Sequence, residues 1–245
     1  MPHRHKLEKL LHSQDTRDCG ADMATAEAYA RAIADIEGSI VVVSDLRQGT
    51  SRIFAGDFAS VFSLDDYRVE QSIWESAILS LMPEEVRDFK YISELCFFHF
   101  VRKQPAQKRR QFHMVSRLAM TDRRGALVEV LHRLYYIYDD TSENMLYAIC
   151  TYSPATLPFG GKCGAVNSVS GRYTELSPAD GNNILSRRER QILSMVKSGK
   201  TSAEIADELF ISIHTVSRHR QDILARLNVR NSHEAARLAT AMGLI

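Results

Sequence analysis

The sequence predicts an α+β chain: an antiparallel-sheet domain at the N-terminal side and an all-α, four-helix domain at the C-terminus. Three observations predict it. Continuous or alternating apolar segments of strand character give way, after about residue 182, to helical periodicity. A stretch rich in Pro and Gly separates the two patterns. The charge divides along the same seam: residues 182–245 hold ten basic and six acidic side chains, a net +4, while the first 181 residues come to −3. The chain total of +1 over 245 residues is therefore a mildly acidic body with a small basic tail, and the tail suits an anionic partner.

The organisation expected is an N-terminal helical extension over 1–35, a sheet domain over 36–153, a linker over 154–181 and a helical domain over 182–245. Residues 1–13 are basic and lack an apolar h-region, so no secretory signal is expected. The longest apolar runs, such as 40–43 and 134–138, are too short to cross a bilayer. The four cysteines (Cys19, Cys96, Cys150, Cys163) are widely spaced and read as reduced thiols. Together these features describe a cytoplasmic protein with no membrane partner.

In the body, residues 39–43 and 50–55 are strands joined by a hairpin turn at Gln48 and Gly49. Residues 57–64 form a short helical stretch. Residues 72–82 and 91–103 read as longer helices, with a turn opening at Pro83. Three long strands follow at 111–121, 126–138 and 145–152. The late strands are apolar on both faces: Val128, Val130, Leu134 and Tyr136 on one, Leu131, Tyr135 and Ile137 on the other. Such a sheet needs an outer cover. The amphipathic segment 23–36, with Ala26, Tyr29, Ala30 and Ile33, or a second subunit, would provide it.

Two strands, several helices and then three antiparallel strands resemble a PAS-like sensor fold. The resemblance implies a domain that senses a small-molecule or protein signal or mediates dimerisation. The run Met82-Pro83-Glu84-Glu85-Val86 resembles a turn frequent in that fold, without its His. No flavin or haem signature accompanies it, and no cofactor is expected. His99, His113 and His132 read as structural, and Trp74 and Tyr135, Tyr136 and Tyr138 as core. A phosphoacceptor receiver domain is disfavoured, because Asp65-Asp66 follows a helical stretch instead of ending the first strand. The Gly-rich cluster 160–164 lacks phosphate-loop spacing and reads as a turn.

In the tail, Ser186 with Glu189 and Thr201 with Glu204 are capping boxes that open two helices. Gly199 ends the first of these. A tight turn at 210–212 leads into a third helix capped by Ser212, and Asn231-Ser232 caps a fourth. Two short helices joined by a three-residue turn have helix-turn-helix geometry, in which the second enters the DNA major groove. On a wheel of about 100° per residue, Val216, Ile223, Leu224 and Leu227 form the core stripe. His214, Ser217, Arg218 and Gln221 lie opposite as base-reading candidates, with Arg218 suited to guanine and Gln221 to adenine. Lys200, Thr201, Thr215, His219 and Arg226 are the phosphate-contacting candidates. Arg220 falls on the inner stripe and should reach an acid, Glu189 or Glu208. No metal-ligand spacing and no catalytic constellation stand out, so an enzyme is not expected.

The runs LSRRERQIL (185–193), GKTSAEIA (199–206), ISIHTVSRHR (211–220), ILARLNV (223–229) and NSHEAA (231–236) resemble the LuxR-type DNA-binding domain. The resemblance covers the tail without a gap. It implies a four-helix domain that binds double-stranded DNA as a homodimer, often pairing through the fourth helix. His214 stands where that family frequently has Asn. The function expected is a sequence-specific transcriptional regulator. The competing reading is an interaction adaptor whose helical tail docks a protein partner.

Overall fold

The computed structural model describes residues 11, 23–64, 68–139, 144–155, 161–176, 185–227, 231–241 and 245. The chain divides into two compact units, one taking in residues 8–176 and the other residues 177–245.

The first unit begins with helix α1 (Met23–Glu37) and the hairpin β1 (Ile40–Asp45) and β2 (Thr50–Ala55). The turn is built by Asp45, whose carboxylate accepts from the Arg47 N–H at 2.8 Å and the Gln48 N–H at 3.0 Å. A 3₁₀ turn (Asp57–Phe62) leads to β3 (Arg68–Glu70) and α2 (Ser76–Leu79). Helix α3 (Glu84–Arg102) and the short α4 (Ala106–Arg109) precede the long strands β4 (Phe112–Thr121), β5 (Leu127–Tyr138) and β6 (Met145–Pro154). Strands β7 (Cys163–Asn167) and β8 (Tyr173–Glu175) complete one eight-stranded sheet, ordered β3-β2-β1-β6-β5-β4-β7-β8. All its pairings are antiparallel. The first hairpin thus lies beside the last of the three long strands, with the helices intervening in sequence, which is the PAS-like arrangement.

Several expectations change. The stretch 154–181 is not simply a linker, because β7 and β8 extend the sheet from within it. Gly164 makes this close packing feasible: a Cβ there would lie 2.2 Å from the Tyr173 ring, whose hydroxyl donates to the Cys163 carbonyl at 3.0 Å. The helix expected over 72–82 shrinks to the four residues of α2. Glu70 stops it from starting earlier, its carboxylate accepting from the N–H groups of Ser76 at 2.6 Å and Ala77 at 3.1 Å. Conversely α3 starts seven residues before position 91, at Glu84 directly after Pro83. Pro suits a helix start, and Glu84 and Glu85 place negative charge at the positive end of the helix dipole.

The sheet is covered on both faces. On one, α3 packs a nearly continuous buried run, with Phe97 stacked on Tyr136 at 5.6 Å. On the other, Ala26, Ala30 and Ala34 of α1 pack against Val41, Val43, Phe54, Tyr147 and Ile149. Small side chains let the helix lie close to the strands. Tyr29, expected in this contact, is instead 66% exposed. Ion pairs of Arg52 with Glu27 and Arg133 with Glu37 tie α1 to β2 and β5.

The second unit holds α5 (Arg187–Lys197), α6 (Ser202–Leu209), α7 (Ile213–Leu227) and α8 (Ser232–Ala241). Ile192, Leu193 and Val196, Ile205 and Ala206, Val216 and Ile223, and Ala235, Ala236 and Ala239 bury one stripe of each helix. No helix among the described residues is long and apolar enough to cross a membrane.

Candidate nucleic-acid interface

Local hydrogen bonding fixes the helix ends that frame this surface. Ser186 Oγ accepts from the Glu189 N–H at 3.3 Å, and Glu189 returns a carboxylate to the Ser186 N–H at 2.7 Å. Thr201 and Glu204 repeat the exchange at 3.3 and 2.7 Å. These bonds hold the Glu204 carboxyl below the usual range, the Thr201 backbone N–H being the main cause. At its C-terminus α5 ends with the Lys200 N–H on the Met195 carbonyl and the Gly199 N–H on the Val196 carbonyl, with Gly199 at φ +84°. The end of α6 has the same pair of bonds, from Ile211 to Ala206 and from Phe210 to Asp207. Here the left-handed position, φ +54°, is held by Phe210, whose side chain is 94% exposed.

The turn 210–212 then delivers α7. Ser212 Oγ accepts from the Thr215 N–H at 3.0 Å and shares a hydrogen bond with Thr215 Oγ1 at 2.8 Å. Along α7, His214, Arg218 and Gln221 are exposed and Ser217 is half-buried, on the side opposite the buried Val216 and Ile223. The four base-reading candidates therefore share one face, and Arg218 and Gln221 hold no side-chain hydrogen bond to a described residue. Leu224 is half-buried; the side chains of Leu227 and Arg226 lie outside the described residues, so the Arg226 candidate is placed only by its helix.

The phosphate candidates are less uniform. Lys200 forms an ion pair with Glu208. The Thr201 hydroxyl is occupied by its capping box, which leaves the N–H groups of Ser202 and Ala203 as the ones α6 can offer. His219 lies within 4.8 Å of the buried Glu189 and of Asp222, on the α5 side and not on the outward face. Among the described residues Arg220 reaches no acid, neither Glu189 nor Glu208. Its guanidinium donates to Ser202 Oγ at 2.8 Å and, from Nη2 and Nε, to Ser232 Oγ at 2.9 and 3.1 Å, linking the starts of α6 and α8 to α7. Arg188 likewise donates to the Leu209 carbonyl at 2.8 Å, closing the end of α6. Sequence reasoning missed both clamps, because each joins residues 12 or more positions apart.

Residues 183–239 match the family of bacterial regulatory proteins, luxR family. The chain is 34% identical over 91 residues to the response regulatory protein YgeK of Escherichia coli, covering 33% of this chain and 62% of that one. It is 46% identical over 52 residues to the transcriptional regulatory protein LiaR of Bacillus subtilis, covering 21% and 25%. It is 45% identical over 60 residues to the regulatory protein SdiA of Escherichia coli, covering 24% and 25%. The matches thus span between a quarter and about three fifths of these relatives. Among solved structures, a phage VqmA–DPO complex is 15% identical with a TM-score of 0.30, covering 91% of each chain. A PAS domain from Colwellia psychrerythraea is 18% identical with a TM-score of 0.34, covering 55% of this chain and 98% of that one.

Proposed function

We propose that this chain, whose residues 183–239 are a luxR-family domain, is a sequence-specific DNA-binding transcription regulator. Its α7 enters the major groove, and its sheet unit senses a signal or holds two copies together. The observation that carries the reading is the outward face of α7. Arg218 and Gln221 project there with no side-chain hydrogen bond to a described residue, whereas Ser186, Glu189, Thr201, Glu204, Arg188 and Arg220 are engaged in caps and clamps. Arg218 donates in bidentate fashion to guanine, Gln221 pairs with adenine, and Ser217 and His214 complete the reading edge. Phosphates bind at the start of α6, over the Ser202 and Ala203 N–H groups, with Lys200 turning from Glu208 to meet them, and at Thr215 and Arg226. His219 contributes to this set only by leaving its acidic neighbours. The reading makes the chain a regulator and not an enzyme, working in the cytoplasm.

A tail of net +4 neutralises few phosphates, so one copy binds weakly and two are needed. The test is selection of bound duplexes from a random pool by the full chain, followed by anisotropy titrations of the selected and a scrambled duplex at several salt concentrations. The expected result is a clear preference for the selected duplex, with affinity falling steeply as salt rises. Equal binding to both duplexes at every salt concentration would sink the reading and favour a tail that docks a protein.

A further inference from the structure

Between α3 and the sheet lies a set of side chains that the DNA-binding reading leaves unused. We propose that Glu94 of α3, His132 of β5 and Cys150 of β6 form a binding site for a divalent transition-metal ion, with zinc(II) as the ion that suits their donors.

Geometry comes first. A carboxylate oxygen of Glu94, a ring nitrogen of His132 and the Cys150 sulfur lie within 4.8 Å of one another, and all three residues are buried. His132 Nε2 is 3.7 Å from Glu94 Oε1. Donors sharing one tetrahedral zinc ion stand about 3.3–3.7 Å apart, given bonds of about 2.0–2.3 Å, so a small contraction closes the site. The Cys150 thiol is free of any disulfide.

The second observation is independent of that clustering. His132 is 0% exposed, and its Nε2 has no hydrogen-bond partner among the described residues. The ring is fixed from two sides. Its Nδ1 is 3.1 Å from Ser116 Oγ, and its plane stacks on Tyr152 at 4.9 Å. With Nδ1–H donating to the serine, Nε2 presents a lone pair toward Glu94. A buried acceptor aimed at a carboxylate is costly without a cation between them. This is also how a metal-binding histidine is commonly held, one nitrogen on the ion and the other on an orienting oxygen. Burial and the Lys90 charge hold the imidazole neutral, as a ligand must be.

Charge gives the ion its valence. Lys90 bridges Glu94 at 2.7 Å and Glu75 at 3.0 Å, and Glu75 also accepts from the Tyr152 hydroxyl. One ammonium and two carboxylates leave one negative charge in an interior that tolerates none. On binding, the ion displaces the proton of the Cys150 thiol, which passes to solvent. One ammonium, two carboxylates and one thiolate then carry two excess negative charges, which a divalent ion cancels. Thiolate, imidazole and carboxylate together suit zinc and the neighbouring late first-row ions over magnesium or calcium.

The test uses the full chain, stripped by chelator and titrated with cobalt(II). One equivalent should produce a near-ultraviolet thiolate-to-cobalt charge-transfer band, which zinc(II) then removes. Cys150→Ser should abolish the band, while serine at Cys19, Cys96 or Cys163 should keep it. Ser116→Ala should weaken zinc binding about 10- to 100-fold with the circular dichroism unchanged. Cobalt held at Glu189, His219 and Asp222 has no sulfur donor and gives no such band. Should Cys150→Ser not fold, the wild-type chain still decides: zinc binding must release at least one proton, measured as an enthalpy that depends on buffer ionisation. No band in the wild type, a band surviving in Cys150→Ser, or zinc uptake without proton release would each overturn the site.

Discussion

In the sheet unit Lys90, Glu75 and Glu94 are buried between a helix and strands, each partnered by a residue from another turn or element. In the helical unit several of the charged and polar groups serve helix ends or lie on an outward face. Glu189 and Glu204 close capping boxes, Arg188 and Arg220 clamp helix termini, and Arg218 and Gln221 point to solvent. A buried ion network and a capped surface respond differently to loss. Removing one member of the first strands a charge in a low-dielectric interior, whereas removing a cap returns a backbone group to water.

The largest effect should come from Lys90→Met. It leaves two carboxylates without their cation and should cost the sheet unit about 3–5 kcal/mol, read from urea unfolding of the full chain. Combining it with Glu75→Gln and Glu94→Gln should recover most of that loss. A cost under about 1 kcal/mol for Lys90→Met alone would erase the contrast between the units.

Next is the DNA recognition proposed for the helical unit. Arg218→Ala should cost about 1–3 kcal/mol on the selected duplex and relax preference at one position, whereas Lys200→Ala should weaken all duplexes alike. Equal losses from Arg218→Ala on selected and scrambled DNA would move Arg218 from base reading to phosphate contact.

Ser186→Ala should cost about 1 kcal/mol, because it opens one capping box. The melting transition of the helical unit should fall while that of the sheet unit stays in place. Phe210→Gly should act in the opposite direction. The ring is 94% exposed, so little packing is lost, and glycine accepts the left-handed backbone at φ +54°. A gain of about 0.5 kcal/mol is expected after glycine's added unfolded-state freedom is deducted. The smallest effect is on pH. The Glu204 carboxyl is held low by its cap, so that contribution is complete above the ordinary carboxylate range and is lost as pH falls through the lowered value. Helix content followed by circular dichroism in acid should show this loss in the wild type and not in Glu204→Gln.

The same contrast explains what could be read from the residues. The capping boxes at Ser186 and Thr201, the stop at Gly199 and the Ser212 cap depend on neighbours three or four positions away, and the structure has them where the pattern put them. The long strands were legible from their apolar runs. Strands β7 and β8 were not, since residues 154–181 are dominated by turn formers and the strands gain their place by pairing with the edge of β4. The α3 start at Glu84 was hidden behind Pro83, read as a break when it serves as an opening. Glu94, His132 and Cys150 are each 18 or more positions from the next, and no local spacing announces them. Arg220 was recognised as inward-facing, but its serine partners are set by how three helices meet.

The sheet tapers at both sides, to β3 with three residues and to β8 with three. A strand that short offers only a few unpaired backbone groups, and Glu70 and Glu175 place charge along these borders. A second chain cannot readily lengthen such a sheet by adding a strand. The pairing of two copies proposed for DNA binding is therefore left to helices or to a sheet face, and the borders themselves guard the fold against runaway strand-to-strand aggregation.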